Sequence, residues 1–247
     1  MKIEIGESLT YSWLKHIKEC QIVQTNWKAS PNWELKNQDE IEAIMKITDE
    51  YFKSEYSLGI YKETKIIKQL IKQAEIDAIG IAYNNSGVNI FCVDIAFHEN
   101  GLNYGSTEET ISRIIKKTIR TAMCVVGYFG IKTGEIYFAS PKINNVIEQK
   151  LVQIIPNLEN ILQKNGWPFQ IRLLCNHLFA ERIINPVINV ANEVADTGEL
   201  FIRSIQLYNM FTNQKQQKGT IEKIINKEAN TDKYSKMKVG AIARKFL

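Results

Sequence analysis

The chain has little of what small stapled, fibrous or membrane-spanning folds require. Its four cysteines (Cys20, Cys92, Cys124, Cys175) are far apart, form no CxxC pair, and have only three histidines to join them. A structural zinc site needs clustered ligands, so reduced and mostly buried thiols are expected. Five prolines and thirteen glycines in 247 residues exclude a collagen-like chain, and no heptad is sustained. Long apolar runs are also missing: the best candidate, residues 111–126, is crossed by Arg113, Lys116, Lys117 and Arg120, so no membrane span is expected. The first twenty residues lack the apolar core of a signal peptide. A cytoplasmic protein with no membrane partner is the expectation.

What is present is an ordinary globular balance, 45% hydrophobic and 23% charged. A chain of this length buries roughly 70–75% of its extended surface and folds without disulfides or metal. The net charge of +4 is unevenly placed. Residues 214–247 carry nine Lys/Arg and three Asp/Glu, which leaves the rest of the chain slightly acidic. The organisation expected is a single α/β domain over 1–213, a polar basic linker over 214–236, and a short basic amphipathic tail over 237–247. Such a tail helps a protein onto nucleic acid by counterion release, or simply stays solvated. Its Met237, Val239, Ile242 and Phe246 suit docking on the domain, a partner protein or a second copy.

Hydrophobic periodicity changes several times. Asp39–Phe52 sets Ile41, Ile44, Met45, Thr48, Tyr51 and Phe52 on one helical face, with Asn37 or Asp39 as cap. A short basic helix, or the approach to a strand, follows at Lys65–Gln73. Ile76–Tyr83 and Asn89–Phe97 are apolar and separated by NNSGV, a hairpin signal, because Asn and Gly tolerate positive φ. A helix over Glu108–Tyr128 is capped by Ser106 or Thr107, with acidic residues in its first turn. Its core face is Ile111, Ile115, Thr118, Ala122, Val125 and Val126. Gly134–Ser140 reads as a strand, Asn144–Leu162 as a helix broken around Pro156, and Phe169–Asn176 as the last strand. Beyond it the chain is helical to Phe211 apart from a break at Pro186. Strands joined through helices run parallel and those joined by a turn run antiparallel. The fold class is therefore α/β, a mixed central sheet flanked by helices, with added C-terminal helices.

Ionisable groups inside strands call for a reason, since a buried unpaired charge is costly. Glu75 and Asp77 begin one hairpin strand and share a face; Asp94 lies on the other, with Ala96 and His98 on its side. Asp77 and Asp94 are about equally distant from the turn at Asn85–Ser86, so they fall opposite one another. Two carboxylates that close repel, and a divalent cation is one remedy; Mg²⁺ needs only one or two of them. Solvent exposure or helix capping is the plainer alternative.

This order of elements, with an acid on each hairpin strand, resembles the PD-(D/E)XK (restriction-endonuclease-like) nuclease superfamily over roughly residues 38–176. The resemblance implies an αβββαβ core. It implies a first acid at Glu75-Ile76-Asp77 and an acidic-x-Lys motif at Asp94-Ile95-Ala96. There the motif lysine is replaced by Ala96. Some members move that cation to the following helix, where Lys116 and Lys117 lie. With about 100° per residue, both fall more than about 100° from the centre of the apolar face, beside Arg113 and Arg120. That placement reads as a solvated basic stripe, suited to phosphates. His98 is a second substitute for the lysine, or an ordinary partly exposed histidine.

The implied activity is Mg²⁺- or Mn²⁺-dependent cleavage of a phosphodiester, a DNA endonuclease with a restriction or phage-defence role. Asp77 and Asp94 would hold the metal, with Glu75, Glu42 or Asp49 as third ligand. Lys116 or Lys117 would act in catalysis, and Arg113, Lys116, Lys117 and Arg120 would meet nucleic acid. The rival is a nuclease-like subunit without turnover, which binds nucleic acid or a partner protein; Ala96 favours it.

Other signals are weaker. Thr25–Trp33 interleaves two tryptophans with Lys28, which suits base stacking, or more simply rings packed on the domain. Gly127–Glu135 lacks the strand-to-helix context of a phosphate loop. Asp196-Thr197-Gly198 follows a helix and reads as a cap rather than a protease motif.

Overall fold

The computed structural model describes residues 5–61, 66–85, 87–98, 101–195 and 197–212. The expected linker, tail and Asp196 lie outside them. Residues 1–202 form one compact unit and 203–247 another. Among the described residues, no helix is long and apolar enough to cross a membrane.

Five strands form one open sheet in sequence order: β1 (Ile22–Trp27), β2 (Ile76–Asn84), β3 (Gly87–Ile95), β4 (Gly134–Ser140) and β5 (Phe169–Cys175). β1, β2 and β3 pair antiparallel, and β4 and β5 continue parallel to β3. The hairpin gives the antiparallel pair. The parallel pairs follow from a helix returning the chain before each next strand. The mixed sheet flanked by helices is thus as expected, widened by one strand. β1 overlaps the start of the tryptophan segment. Exposed Ile22, Gln24 and Asn26 alternate with half-buried Val23 and Thr25 before buried Trp27, so hydrophobicity does not follow the buried face and the pattern does not announce an edge strand.

The helices are α1 (Ile5–His16), α2 (Gln38–Tyr56), α3 (Ile67–Lys72), α4 (Thr107–Cys124), α5 (Asn145–Lys164), α6 (His177–Phe179) and α7 (Asn185–Val190). A last helix covers residues 200–212. α1 closes on the sheet through small residues. A methyl on Gly6 would come within 3.1 Å of Ile95, and one on Gly80 within 2.6 Å of Cys20 Sγ. Ile95 therefore faces α1, and its neighbour Asp94 faces the opposite layer, where α4 lies. The larger core fills that second layer, joining Ile41, Ile44 and Phe52 of α2 to Ile115 and Ile119 of α4 and Leu151 and Leu158 of α5.

Several local expectations change. Asn37 does precede α2, but at φ 52° and without a side-chain cap. Its amide instead donates to Val126 O at 3.0 Å, tying α2 to the end of α4. α4 passes at Val125–Phe129 into a wider π turn that ends at Gly130, φ 68°. α5 runs unbroken through Pro156. That residue lies on the solvent face, where the carbonyl it releases reaches water. Helical turns likewise continue through Pro186, and the break falls at 191–199 instead. Trp27 is buried against Trp33, Tyr128 and Phe129, so the tryptophan segment packs on the domain.

Candidate functional site

Asp77 and Asp94 meet because of strand register. β2 and β3 pair Ala78 with Val93, and one step further sets Asp77 opposite Asp94. Both face α4. Asp77 Oδ2 accepts the Ile95 amide at 2.7 Å, which fixes the carboxylate against the end of β3. Asp94 is 1% exposed, the most deeply buried acid described. Thr121 of α4 donates its hydroxyl to Asp94 Oδ2 at 3.1 Å.

One ammonium answers both acids. Lys117 Nζ stands 2.8 Å from Asp77 Oδ2 and 3.1 Å from Asp94 Oδ1. The second contact is an ion pair without hydrogen-bond alignment, and Asp94 Oδ1 is buried with no hydrogen-bond partner. Burial pulls Lys117 toward neutrality, but Asp94 and Asp77 outweigh it and hold the ammonium above the usual lysine range. Burial pushes the Asp94 carboxyl up, and Lys117 offsets this only in part, while Asp77 adds to it. Two carboxylates thus share one positive charge in a site largely closed to water.

Lys117 corrects the reading of α4. It is not on the solvated stripe; its side chain is 29% exposed and turned to the sheet. The buried face of α4 is wider than the aliphatic pattern suggests, because Ile114 and Thr121 are buried too. Lys117 is three residues after Ile114 and four before Thr121, so it shares their side of the helix. Counting Thr121 as polar shifts the apparent face away from the lysine. A lysine at i+3 from one buried residue and i−4 from another was the available signal.

Lys117 also borders a cleft of about 880 Å³ walled by α4 and by Leu58–Ile60. Arg113, Lys116 and Arg120 lie along it, with Tyr104 at one side and Glu108 and Glu109 at its mouth. The four basic residues expected to act together therefore do border one space. Arg113 pairs with Glu109 at 2.6 Å, and its guanidinium stands 5.4 Å from the Tyr104 ring centroid. The Tyr104 amide donates to Thr110 Oγ1 at 3.1 Å, which anchors the loop ahead of α4. Neither Tyr104 nor Thr121 was signalled by sequence: one sits in a loop, the other resembles an ordinary helix threonine.

The remaining expected residues are elsewhere. Glu75 pairs with Lys28 at 3.0 Å, outside the ion-pair group of Asp77, Asp94 and Lys117. Glu42 accepts from Gln38 at 2.9 Å, and Asp49 pairs with Lys53; both line a separate hollow beside α2. His98 is exposed and stands edge-on to Tyr104. Ala96 is buried and its backbone closes onto β4, donating to Ala139 O at 2.9 Å and accepting from Ser140 Oγ at 2.9 Å. Among the described residues, no group of three or more His, Cys, Asp or Glu is placed to hold a metal ion.

Comparison of the chain with protein-family models, curated proteins and solved structures finds no match to any.

Proposed function

We propose that this chain is a metal-dependent phosphodiester hydrolase of PD-(D/E)XK type acting on DNA. The observation that carries the reading is the triad Asp77, Asp94 and Lys117, drawn from two antiparallel strands and the crossover helix that follows them. Within 38–176, the span of the resemblance, only β2 and β3 precede α4; the order αβββαβ is read instead from α1, β1, β2, β3, α4 and β4, with α2 and α3 as an insertion.

The residues fit a hard divalent cation. Asp94 Oδ1 is a buried carboxylate oxygen opposite a second carboxylate, met by the Lys117 ammonium at 3.1 Å but with no aligned hydrogen bond, and Mg²⁺ takes one or two carboxylates and completes its shell with water. Asp77 and Asp94 would hold it. Bound there, Mg²⁺ or Mn²⁺ polarises a phosphate and lowers the pKa of an attacking water. The protein's own part is electrostatic. Lys117 keeps its proton through the neutral range and offers a preorganised positive charge where negative charge grows on the phosphate. Thr121 and the Ile95 amide fix the two carboxylates, so little reorganisation is needed.

Ala96 favours the rival reading, a nuclease-like subunit without turnover that binds nucleic acid or a partner protein. Lys117 weighs against it, because the ammonium missing at Ala96 stands beside both acids. The test is incubation with supercoiled plasmid and Mg²⁺ or Mn²⁺. Nicking is expected in the parent chain and lost in Asp77→Asn, Asp94→Asn and Lys117→Met, each shown folded by circular dichroism. Nicking that survives in both Asp variants would overturn the site; no metal-dependent nicking in the parent would favour the subunit.

A further inference from the structure

The cleft beside α4 has a shape that bears on the substrate. Lys117 lines it, and the two acids stand behind that lysine, with side chains 16% and 1% exposed. Its volume of about 880 Å³ is in the range of a small-ligand pocket, about 300–1,000 Å³. An intact duplex, stiff and broad, does not bring a phosphate to acids so far behind the lining without distortion. One strand does.

The lining matches that occupant. Arg113, Lys116 and Arg120 form a basic rail along α4, suited to a backbone of phosphates. Tyr104 adds an aromatic surface, half-buried and held in place by Thr110, with the Arg113 guanidinium over its ring. Tyr104 borders the same cleft as Lys117, the lysine that contacts both acids. A charged groove with an aromatic platform is the recurring means of holding unpaired bases, and Arg adds a planar cation to the stack.

We infer that this cleft takes a single-stranded nucleic-acid segment, with Tyr104 and Arg113 as the platform on which a base stacks next to the scissile phosphate. The inference rests on the phosphodiesterase reading and narrows its substrate. The lining carries no pattern that separates DNA from RNA, and the test distinguishes them.

The experiment is fluorescence anisotropy with the full chain in EDTA, so that binding is read without cleavage. Labelled oligo-dT and oligo-rU of about 12 nucleotides are compared with a duplex of the same length. At least one single strand is expected to bind about tenfold tighter than the duplex. Tyr104→Ala is expected to weaken it about tenfold, and Tyr104→Phe to keep it within about twofold. Equal or tighter duplex binding overturns the inference. So does single-strand binding indifferent to Tyr104→Ala, which would place the contact on basic residues elsewhere. The two claims fail separately. Metal-dependent nicking with duplex preferred sinks the strandedness alone, whereas Tyr104-dependent binding without cleavage sinks the hydrolase reading and leaves the platform.

Discussion

Lys117 is the residue on which most of the site depends. Replacing it by Met leaves Asp94 buried and facing Asp77 without a counter-charge, and breaking such a buried pair costs about 3–5 kcal/mol. The loss has a predictable pH dependence. Asp94 holds its proton more tightly folded than unfolded, so the folded state binds more protons just above the ordinary aspartate value of 3.8. Stability therefore falls as pH rises through that window. Without the Lys117 ammonium the folded carboxyl moves further up and the window widens. Urea titrations of Lys117→Met and the parent are expected to differ most near neutral pH and least near pH 4; a constant difference would contradict the account. Thr121→Val removes one donor to Asp94 and is expected to cost about 1–3 kcal/mol, measured the same way.

α4 is the element that carries the site. Ser106 Oγ accepts the Glu109 amide at 3.1 Å and starts the helix, so Ser106→Ala is expected to cost about 0.5–2 kcal/mol in a chemical melt. Because Lys117, Arg113 and Tyr104 all follow from where this helix begins, the same variant is expected to lower cleavage as well. The hairpin is legible in sequence for a physical reason: alternation and turn residues are local properties, and from them the register of Asp77 against Asp94 follows. The partner of those acids is less so. Whether Lys117 turns inward depends on how wide a face α4 buries, and the sheet beneath decides that. β1 was missed for a related reason, because an edge strand takes its pairing from β2 and needs no strong pattern of its own.

At the scale of the whole molecule, the proposed function requires that the acid pair link stability to metal. A cation that binds only the folded chain adds about 2.7 kcal/mol at one hundred times its Kd. Thermal melts of the parent in Mg²⁺ or Mn²⁺ are expected to shift upward, and those of Asp94→Asn are not. Acid acts at another place. Glu199 is buried beside α1 with Lys15 at 2.7 Å and His16 at 2.9 Å. Burial raises its carboxyl, but the hydrogen bonds from Lys15, Ser12 and His16 together hold it below the usual glutamate value. Its contribution is present above the ordinary glutamate value of 4.5 and is lost as pH falls through the lower folded value. Hydrogen-exchange protection factors around 197–202 are expected to fall at acid pH in the parent, and to be low and less pH-dependent in Glu199→Gln.

The elements that local chemistry defines are legible along the chain. Short apolar runs mark β2 to β5, turn residues mark the hairpin, and helical periodicity with a serine cap marks α4; connectivity then requires a mixed sheet. The pairing of Asp77 with Asp94 follows too, since antiparallel pairing around one turn is a matter of counting. What meets that pair is settled by tertiary packing. Glu75, two residues from Asp77, went to Lys28, while Lys117, forty residues away, came to both acids. The physical reason is the low dielectric between α4 and the sheet: a charge buried there must find its counter-charge, and the nearest one in space is distant along the chain.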